Sequence, residues 1–232
     1  DLDLQFGEVT SSLRLQPESS IIDLIRLAGD DDEALAAHLP AHCTVAESGI
    51  HVLPAPLDPT LAHVVHPDHV DRVIEAARRV FDDVVVDTPP ALTDTVVTAI
   101  SHADELVVMA TLDVPSIRNL HVFLGTLDRL GVADGGARLL LNKAERGSGI
   151  EMEHVAKMFS RPFEAALPYA REVPRSVNVG RTVLEADPDA EISRQLGDVL
   201  GRLLPEGARP AHAVEARPSR RRRSFRRARE AV

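Results

Sequence analysis

Several residue types are scarce in this sequence. Tryptophan is absent, and aromatic residues make up only 3% of the 232 residues. A single cysteine, Cys43, excludes an internal disulfide and fits a reducing compartment. No apolar run approaches the roughly 20 residues that a membrane-spanning helix needs. Hydrophobic residues nevertheless amount to 44%, so we expect a globular protein whose core is built from Val, Leu, Ile and Ala.

The net charge of −10 is distributed unevenly along the chain. Residues 217–232 contain eight Arg and one Glu, which leaves a charge of −17 on residues 1–216. An acidic body of this kind is not expected to attract nucleic acid through its bulk charge. Small, polar and Pro-bearing residues at 205–219 predict a linker, and residues 220–232 are expected to form a disordered Arg-rich tail.

Three short apolar runs predict strands of a parallel sheet. They are VVVD at 84–87, ELVVMA at 105–110 and RLLLN at 138–142. Strands that are buried on both faces have such runs, without the alternation of half-exposed strands. Weaker strand candidates lie at 43–47, 50–55 and 163–168.

Helical periodicity lies between these runs. Residues 68–80, 115–130 and 188–204 each place their apolar side chains on one face. Asp187 is the predicted N-cap of the last helix, with Pro188 at its first position. Alternating strands and helices predict one α/β domain over residues 1–204, with a mostly parallel sheet covered by helices on both faces.

Candidate functional residues come directly after the predicted strands, because ligands of open α/β sheets bind beyond the carboxyl ends of the strands. Asp87 ends the first run and is suited to hold Mg²⁺ through water, or else it caps the following turn. Asn142 ends the third run and can contact a base edge, or else it forms a turn. If the opening DLD also ends a strand, Asp1 and Asp3 converge on Asp87, and such carboxylates repel unless a cation lies among them.

Two other features have both a functional and a structural interpretation. His63, His66 and His69 are evenly spaced, as zinc ligands can be, but Pro67 at a predicted helix start makes them fan apart. Cys43 is better explained as a small buried residue than as a nucleophile.

Four segments, in this order and spacing, resemble the MinD/ParA group of deviant Walker A P-loop ATPases. They are DLDLQFGEV, FDDVVVDTPPALTD, LLLNKAE and LPYAREVPRSVNVGRTVLEADPDAEISRQL. The resemblance covers residues 1–204 and is greatest to the CpaE/TadZ branch, which is associated with pilus assembly. In that family a strand, a phosphate loop bearing two lysines, and a helix precede the D-x-D with which this sequence opens. The resemblance therefore implies that the phosphate loop is missing from the N-terminus of this sequence.

The sequence itself contains no G-x-x-x-x-G-K-[ST] motif. The nearest imitation, NVGRTV at 178–183, has Arg181 where Lys is required. The lysine that acts across the ATP-bound dimer in that family is absent as well. We therefore expect the 232-residue chain by itself to be inactive as an ATPase.

The resemblance implies ATP and Mg²⁺ as cofactors and assigns roles to three carboxylates. Asp3 would position the attacking water, Asp1 would support the Mg²⁺ site, and Asp87 would be the Walker B carboxylate that holds Mg²⁺. It also implies a base site, in which Asn142 contacts adenine. Pro168 and Tyr169 would form part of that base pocket.

The implied function is an ATP-hydrolysing spatial switch that positions a pilus or secretion assembly of the Flp/Tad type. A nucleotide-dependent homodimer and protein partners from that assembly are expected. The expected location is the cytoplasm, including the inner face of the cell membrane or a cell pole. Two alternatives remain, namely a non-hydrolysing localisation scaffold of the same fold and a ParA-like DNA-segregation ATPase with the Arg-rich tail on DNA.

We expect the Arg-rich tail to be a free anchor for an anionic surface, because the linker offers little that can dock on the acidic body. Truncation after residue 208 then leaves the free energy of unfolding unchanged and abolishes co-sedimentation with anionic vesicles. Binding by the whole chain weakens as salt shortens the Debye length. Equal vesicle binding by the whole and truncated chains would refute the anchor. A tail held on the body would instead lower stability on removal, by about 0–1 kcal/mol for each exposed ion pair.

Overall fold

The structure is a computed structural model, and it describes residues 1–131, 137–145 and 150–203. The predicted linker at 205–219 and the predicted tail at 220–232 lie outside these ranges. Within the three described ranges, no helix is both long and apolar enough to cross a bilayer.

The described residues form ten α-helices, five β-strands and one 3₁₀ helix at Pro59–Val64. The helices are α1 (Val9–Ser12), α2 (Ile21–Ala28), α3 (Asp32–His42), α4 (Pro67–Val80), α5 (Asp94–Ser101), α6 (Val114–Leu130), α7 (Met152–Lys157), α8 (Glu172–Asn178), α9 (Val183–Ala186) and α10 (Glu191–Leu203). The strands are β1 (Thr44–Val45), β2 (His51–Val52), β3 (Leu106–Thr111), β4 (Ala137–Asn142) and β5 (Phe163–Ala166).

A parallel sheet in the order β3-β4-β5 forms one half of the domain. β3 pairs with β4 over all six of its residues. Leu139 and Leu141 of β4 are buried in a cluster with α6 and α7, while Leu140 is buried with α9 and α10. Helices therefore cover both faces of the central strand, which confirms the predicted α/β fold with a parallel sheet flanked by helices.

A helical layer forms the other half and packs on the opening segment of the chain. Its cluster combines apolar residues of α2, α3, α4 and α5 with Leu2, and Val86 packs against it. The sequence analysis missed α2, α3 and α5. In α3, apolar residues are not confined to one face and Pro40 lies inside the helix, so its periodicity is weak.

Residues 84–87 correct the prediction of a strand that is buried on both faces. Residues 83–89 form neither helix nor strand, and the side chain of Val85 is 93% exposed. Among the described residues, one backbone hydrogen bond reaches 83–88, from the Leu2 N–H to the Asp87 carbonyl oxygen over 2.8 Å. Val86 packs on the helical layer whereas no described residue covers Val85, so the described residues bury only one face of the segment.

Local geometry bears on two further predictions. The candidate strands at 43–47 and 50–55 are confirmed as the short strands β1 and β2, which form an antiparallel pair outside the parallel sheet. The last helix begins at Glu191 and not at Pro188. Asp187 is the C-cap of α9, and its carbonyl oxygen accepts hydrogen bonds from the Ala190 N–H and the Ser193 hydroxyl.

The start of α2 generates a stability prediction. The Asp23 carboxylate accepts hydrogen bonds from the Ser20 N–H and hydroxyl, each 2.8 Å long, and the hydroxyl is the main cause that lowers the pKa of Asp23. We expect Ser20→Ala to lower the free energy of unfolding by about 1 kcal/mol, as for other lost helix caps.

The pH dependence of that loss follows from the direction of the pKa shift. A carboxyl group whose folded pKa is depressed stabilises the fold above its unfolded pKa, and this contribution disappears as the pH falls through the folded value. The difference between Ser20→Ala and the wild type should therefore shrink below about pH 4. Chemical denaturation above and below about pH 4 measures this difference. Ser48→Ala, in an exposed turn, is the matched control. A difference that does not change with pH would contradict the role given to Asp23.

Candidate functional site

An acidic edge, defined as Asp1, Asp3 and Asp87, lies where the opening segment meets residues 83–88. The 2.8 Å hydrogen bond from the Leu2 N–H to the Asp87 carbonyl oxygen sets the two backbones side by side. Leu2 is buried in the helical layer, and this burial anchors the opening segment. The structure therefore places the backbones of the three selected Asp residues next to one another.

The Asp1 carboxylate is engaged in shaping the loop that comes after it. One oxygen accepts the Asp3 N–H over 3.0 Å, and the other accepts the Val9 N–H over 3.2 Å. A Cβ atom at Gly7 would lie 2.5 Å from an oxygen of Asp1, so glycine is required for the loop to close this tightly. Asp1 thus holds residues 3–9 in place, and its proposed support of a metal site is indirect.

Asp3 and Asp87 keep carboxylate oxygens for other partners. One oxygen of Asp3 accepts the Phe6 N–H over 3.1 Å. Among the described residues, the second Asp3 oxygen and the Asp87 carboxylate have no hydrogen-bond donor. Mg²⁺ in nucleotide sites is held by one or two carboxylates, often through water, with substrate phosphates as further ligands. These free oxygens fit such a hydrated ion.

The described residues contain no group of three or more His, Cys, Asp or Glu side chains arranged to hold a metal ion. The acidic edge therefore does not form a complete metal site from protein side chains alone. In the evenly spaced histidines, the His69 Nδ1 accepts the His66 N–H over 3.1 Å, and the His63 Nδ1 donates to the Thr60 carbonyl oxygen over 2.7 Å. These contacts stabilise helix and turn ends.

Positive charge is scarce at the acidic edge. Within the described ranges, no Lys or Arg forms an ion pair with any of its three carboxylates. The α-amino group of Asp1 donates to the Leu53 carbonyl oxygen, and burial lowers the pKa of this amine although the Asp87 carboxylate acts in the opposite direction. Neighbouring carboxylates repel, so the arrangement favours a cation that comes from a ligand.

Two of the residues predicted to contact a base, Asn142 and Pro168, are backbone neighbours at the carboxyl end of the sheet. The Leu167 N–H donates to the Leu141 carbonyl oxygen over 2.8 Å, which continues the β4–β5 pairing and sets Asn142 beside Pro168. The Asn142 side-chain oxygen accepts the N–H of Lys143 over 2.9 Å. Its NH₂ group is therefore the part left for a ligand.

An open cleft of about 500 Å³ adjoins this point and has Pro168 and Tyr169 in its wall. Tyr169 is 50% exposed, so its ring presents a face for stacking. Asn142 and the acidic edge are outside the wall of the cleft. Charged residues that the sequence analysis missed complete the wall, including Arg171 and Asp189. The motifs YAR at 169–171 and DPD at 187–189 contain these two residues and could have identified them from the sequence.

A fourth carboxylate at the carboxyl edge was also missed. Asp113 comes after β3, and its carboxylate accepts the Ser116 N–H over 2.8 Å and the Thr111 hydroxyl. The hydroxyl contact is the main cause that lowers the pKa of Asp113. The spacing T-x-D-x-x-S after a predicted strand is the signal that identifies this helix N-cap.

Cys43 is half-buried against the helical layer, as its residue type indicated. Burial raises the pKa of its thiol, which keeps the sulfur protonated and poorly nucleophilic near neutral pH.

No protein-family model matches the chain. It is 19% identical to the septum site-determining protein MinD of Thermotoga maritima over 212 residues, which cover 89% of this chain and 75% of that protein. It is 25% identical to MinD of Helicobacter pylori over 154 residues, which cover 62% of this chain and 57% of that protein. The chain thus spans little more than half of the second relative.

Solved structures with the same fold support this similarity. A ParA family ATPase from Chlorobium tepidum superposes with a TM-score of 0.75 at 20% identity, covering 84% of this chain and 81% of that one. MinD of Pyrococcus furiosus superposes with a TM-score of 0.70 at 18% identity, covering 88% of this chain and 84% of that one. MinD of Pyrococcus horikoshii, solved with Mg-ADP, superposes with a TM-score of 0.68 at 18% identity, covering 84% of this chain and 77% of that one. The chain has the α/β fold of the MinD/ParA group of P-loop ATPases.

Proposed function

We propose that the chain supplies the metal- and water-facing side of an ATP-hydrolysing switch that positions a pilus or secretion assembly of the Flp/Tad type. The proposal is supported by one observation, namely that Asp3 and Asp87 lie on neighbouring backbones of a MinD/ParA fold and that each keeps a carboxylate oxygen with no donor among the described residues. The pilus assignment rests on the resemblance of the four segments to the CpaE/TadZ branch.

In this proposal the two carboxylates have different tasks. ATP with bound Mg²⁺ supplies the phosphoryl group and neutralises part of its charge, so the protein acts mainly by positioning and electrostatics. Asp87 holds the metal through water with its free oxygens. Asp3 accepts a hydrogen bond from the attacking water with its second oxygen. Asp1 keeps Asp3 in position through the 3.0 Å contact to the Asp3 N–H.

The base would be bound at the edge of the cleft, between its wall at Pro168 and Tyr169 and Asn142, which lies outside that wall. Tyr169 offers a ring face and Pro168 an apolar wall. Because the Asn142 oxygen is engaged by the Lys143 N–H, Asn142 would act as a donor through its NH₂ group. An adenine ring nitrogen is an acceptor and suits such a donor.

A switch of this kind works through partners. MinD of Aquifex aeolicus has been solved in complex with MinC, a second protein. For this chain we propose a nucleotide-dependent homodimer that binds components of the pilus or secretion machine in the cytoplasm, at the membrane surface or at a pole. The Arg-rich tail would add attraction to anionic lipid of about 1 kcal/mol per Arg near the surface.

A non-hydrolysing localisation scaffold of the same fold is the second candidate. A ParA-like DNA-segregation ATPase ranks below both, because the charge of −17 on residues 1–216 opposes contact with DNA.

The first prediction concerns nucleotide binding by the 232-residue chain. Without a loop of backbone N–H groups and a lysine around the γ-phosphate, we expect Mg-ATP to bind weakly or not at all and not to be hydrolysed. Isothermal titration calorimetry measures the affinity. Low-micromolar binding would show that other residues of the chain replace the loop.

Substitutions at the acidic edge separate the switch from the scaffold. They are made in a longer chain in which a phosphate loop precedes Asp1. Asp3→Ala should retain ATP binding but slow hydrolysis by about 10²-fold or more, because the group that orients water is lost. Asp87→Ala should also weaken the dependence of the rate on Mg²⁺. Asp83→Ala, an exposed carboxylate in the same segment, is the matched control. Hydrolysis by Asp3→Ala at the wild-type rate would rule out the role of Asp3.

A further inference from the structure

A histidine at the end of α5 lies between two carboxylates of α4. His102 is the C-cap residue of α5, and its side chain is 17% exposed. Its Nε2 atom lies 2.8 Å from a carboxylate oxygen of Asp71, and its Nδ1 atom lies 3.1 Å from a carboxylate oxygen of Glu75. Asp71 and Glu75 are about one turn apart on α4, which places them on the same face of that helix. Each nitrogen of the ring therefore has its own carboxylate neighbour.

The number of protons on the ring decides how many of these contacts are favourable. A neutral imidazole has one N–H group, so it can donate to one carboxylate while the lone pair of its other nitrogen faces the second one. The doubly protonated ring presents an N–H group to both and places a positive charge between two negative ones. A positive charge at this position also suits the negative end of the dipole of α5. The arrangement is therefore complete when His102 is an imidazolium.

An arginine of α4 holds the same end of α5 without depending on that proton. The Nη1 atom of Arg78 donates to the His102 carbonyl oxygen over 2.7 Å, and its Nη2 atom lies 3.2 Å from a carboxylate oxygen of Asp104. A guanidinium group stays charged across the range in which histidine titrates. The other arginines of α4, Arg72 and Arg79, form ion pairs with α3. Among the described residues, the ion pairs at this end of α5 involve four charged side chains besides His102, namely Asp71, Glu75, Arg78 and Asp104.

The attachment of α5 matters to both halves of the domain. Ala99 of α5 packs in the helical layer, whereas Val96 and Ile100 pack against Leu127 of α6. The helix begins at Asp94, shortly after the segment that ends in Asp87. A contact that holds the end of α5 on α4 therefore acts on a helix that links the helical layer, the sheet and the acidic edge.

We propose that His102 is a pH-sensitive clamp that holds the end of α5 on α4. The protonated ring is bound by Asp71 and Glu75 together, and loss of the proton replaces one of the two attractions by a repulsion. Proton binding is thus coupled to the attachment of α5, which is strongest on the acidic side of the range in which histidine titrates, about pH 5 to 8. The clamp involves α4 and α5 and no nucleotide, so it is independent of the proposed function.

Double-mutant cycles measured by chemical denaturation of the 232-residue chain test the dependence on the proton. His102→Gln is combined with Asp71→Asn and, separately, with Glu75→Gln. Both carboxylates are more than half exposed, so their amide variants should fold. At about pH 6 each pair should change the unfolding equilibrium constant by about threefold beyond the product of the single changes, as expected for partly exposed ion pairs. At about pH 8.5 the two couplings together should vanish, because the neutral ring attracts one carboxylate and repels the other. Couplings of the same size at both pH values would overturn the proposal.

Arg78→Gln is the matched control in the same contact. It removes the hydrogen bond to the His102 carbonyl oxygen and the ion pair with Asp104, so it should lower stability by the same factor at both pH values. A cost that follows pH as that of His102→Gln does would overturn the proposal, because the pH dependence would then arise elsewhere.

Hydrogen exchange followed by mass spectrometry locates the effect in the fold. Protection of residues 94–103, corrected for the intrinsic pH dependence of exchange, should fall about threefold relative to α10 between about pH 6 and pH 8.5 in the wild type. The same comparison in His102→Gln should show no change. An equal fall in the wild type and in His102→Gln would overturn the clamp.

Discussion

The hydrogen bond from the Leu2 N–H to the Asp87 carbonyl oxygen is the contact on which the candidate site depends. It joins the opening segment, with Asp1 and Asp3, to residues 83–88, which end in Asp87. Burial of Leu2 in the helical layer holds the opening segment in this position. The helix α5 then ties the same layer to the sheet, because its side chains enter the clusters on both sides.

The elements that were predicted best are those with a distinct apolar run or stripe in the sequence. β3 and β4 are apolar runs that pair over their full length, and α4 and α6 carry a clear apolar stripe with defined ends, including Gly131 in the left-handed conformation after α6. The helix α3 was missed because its apolar residues do not form a stripe, and it is stabilised mainly by packing on α2 and α4. Tertiary burial overrides a weak local pattern in that case.

The prediction for residues 84–87 is wrong for the opposite reason, because a strong local pattern is not completed by its surroundings. Three consecutive Val residues have high strand propensity, and the prediction assigned them a place inside a sheet. Propensity describes how well a residue fits a pleated, covered surface, and that surface has to be supplied by neighbours. Here one neighbour, Leu2, pairs with the segment by one hydrogen bond, and Val85 remains exposed. The composition was thus consistent with a central strand, while the described residues provide the surroundings of an edge.

Candidate site residues could be named from the sequence because ligands bind at the ends of parallel strands, but the different roles of those residues could not. Among the described residues, hydrogen bonds engage both carboxylate oxygens of Asp1, one of Asp3 and neither of Asp87. These contacts come from the N–H groups of Asp3, Phe6 and Val9, whose positions depend on the tight approach of Gly7 to Asp1. Spacing in the sequence gives no access to that loop geometry. Because an oxygen that already accepts a backbone hydrogen bond has less capacity for a further ligand, our proposal assigns the cation and the attacking water to Asp3 and Asp87 and a supporting role to Asp1.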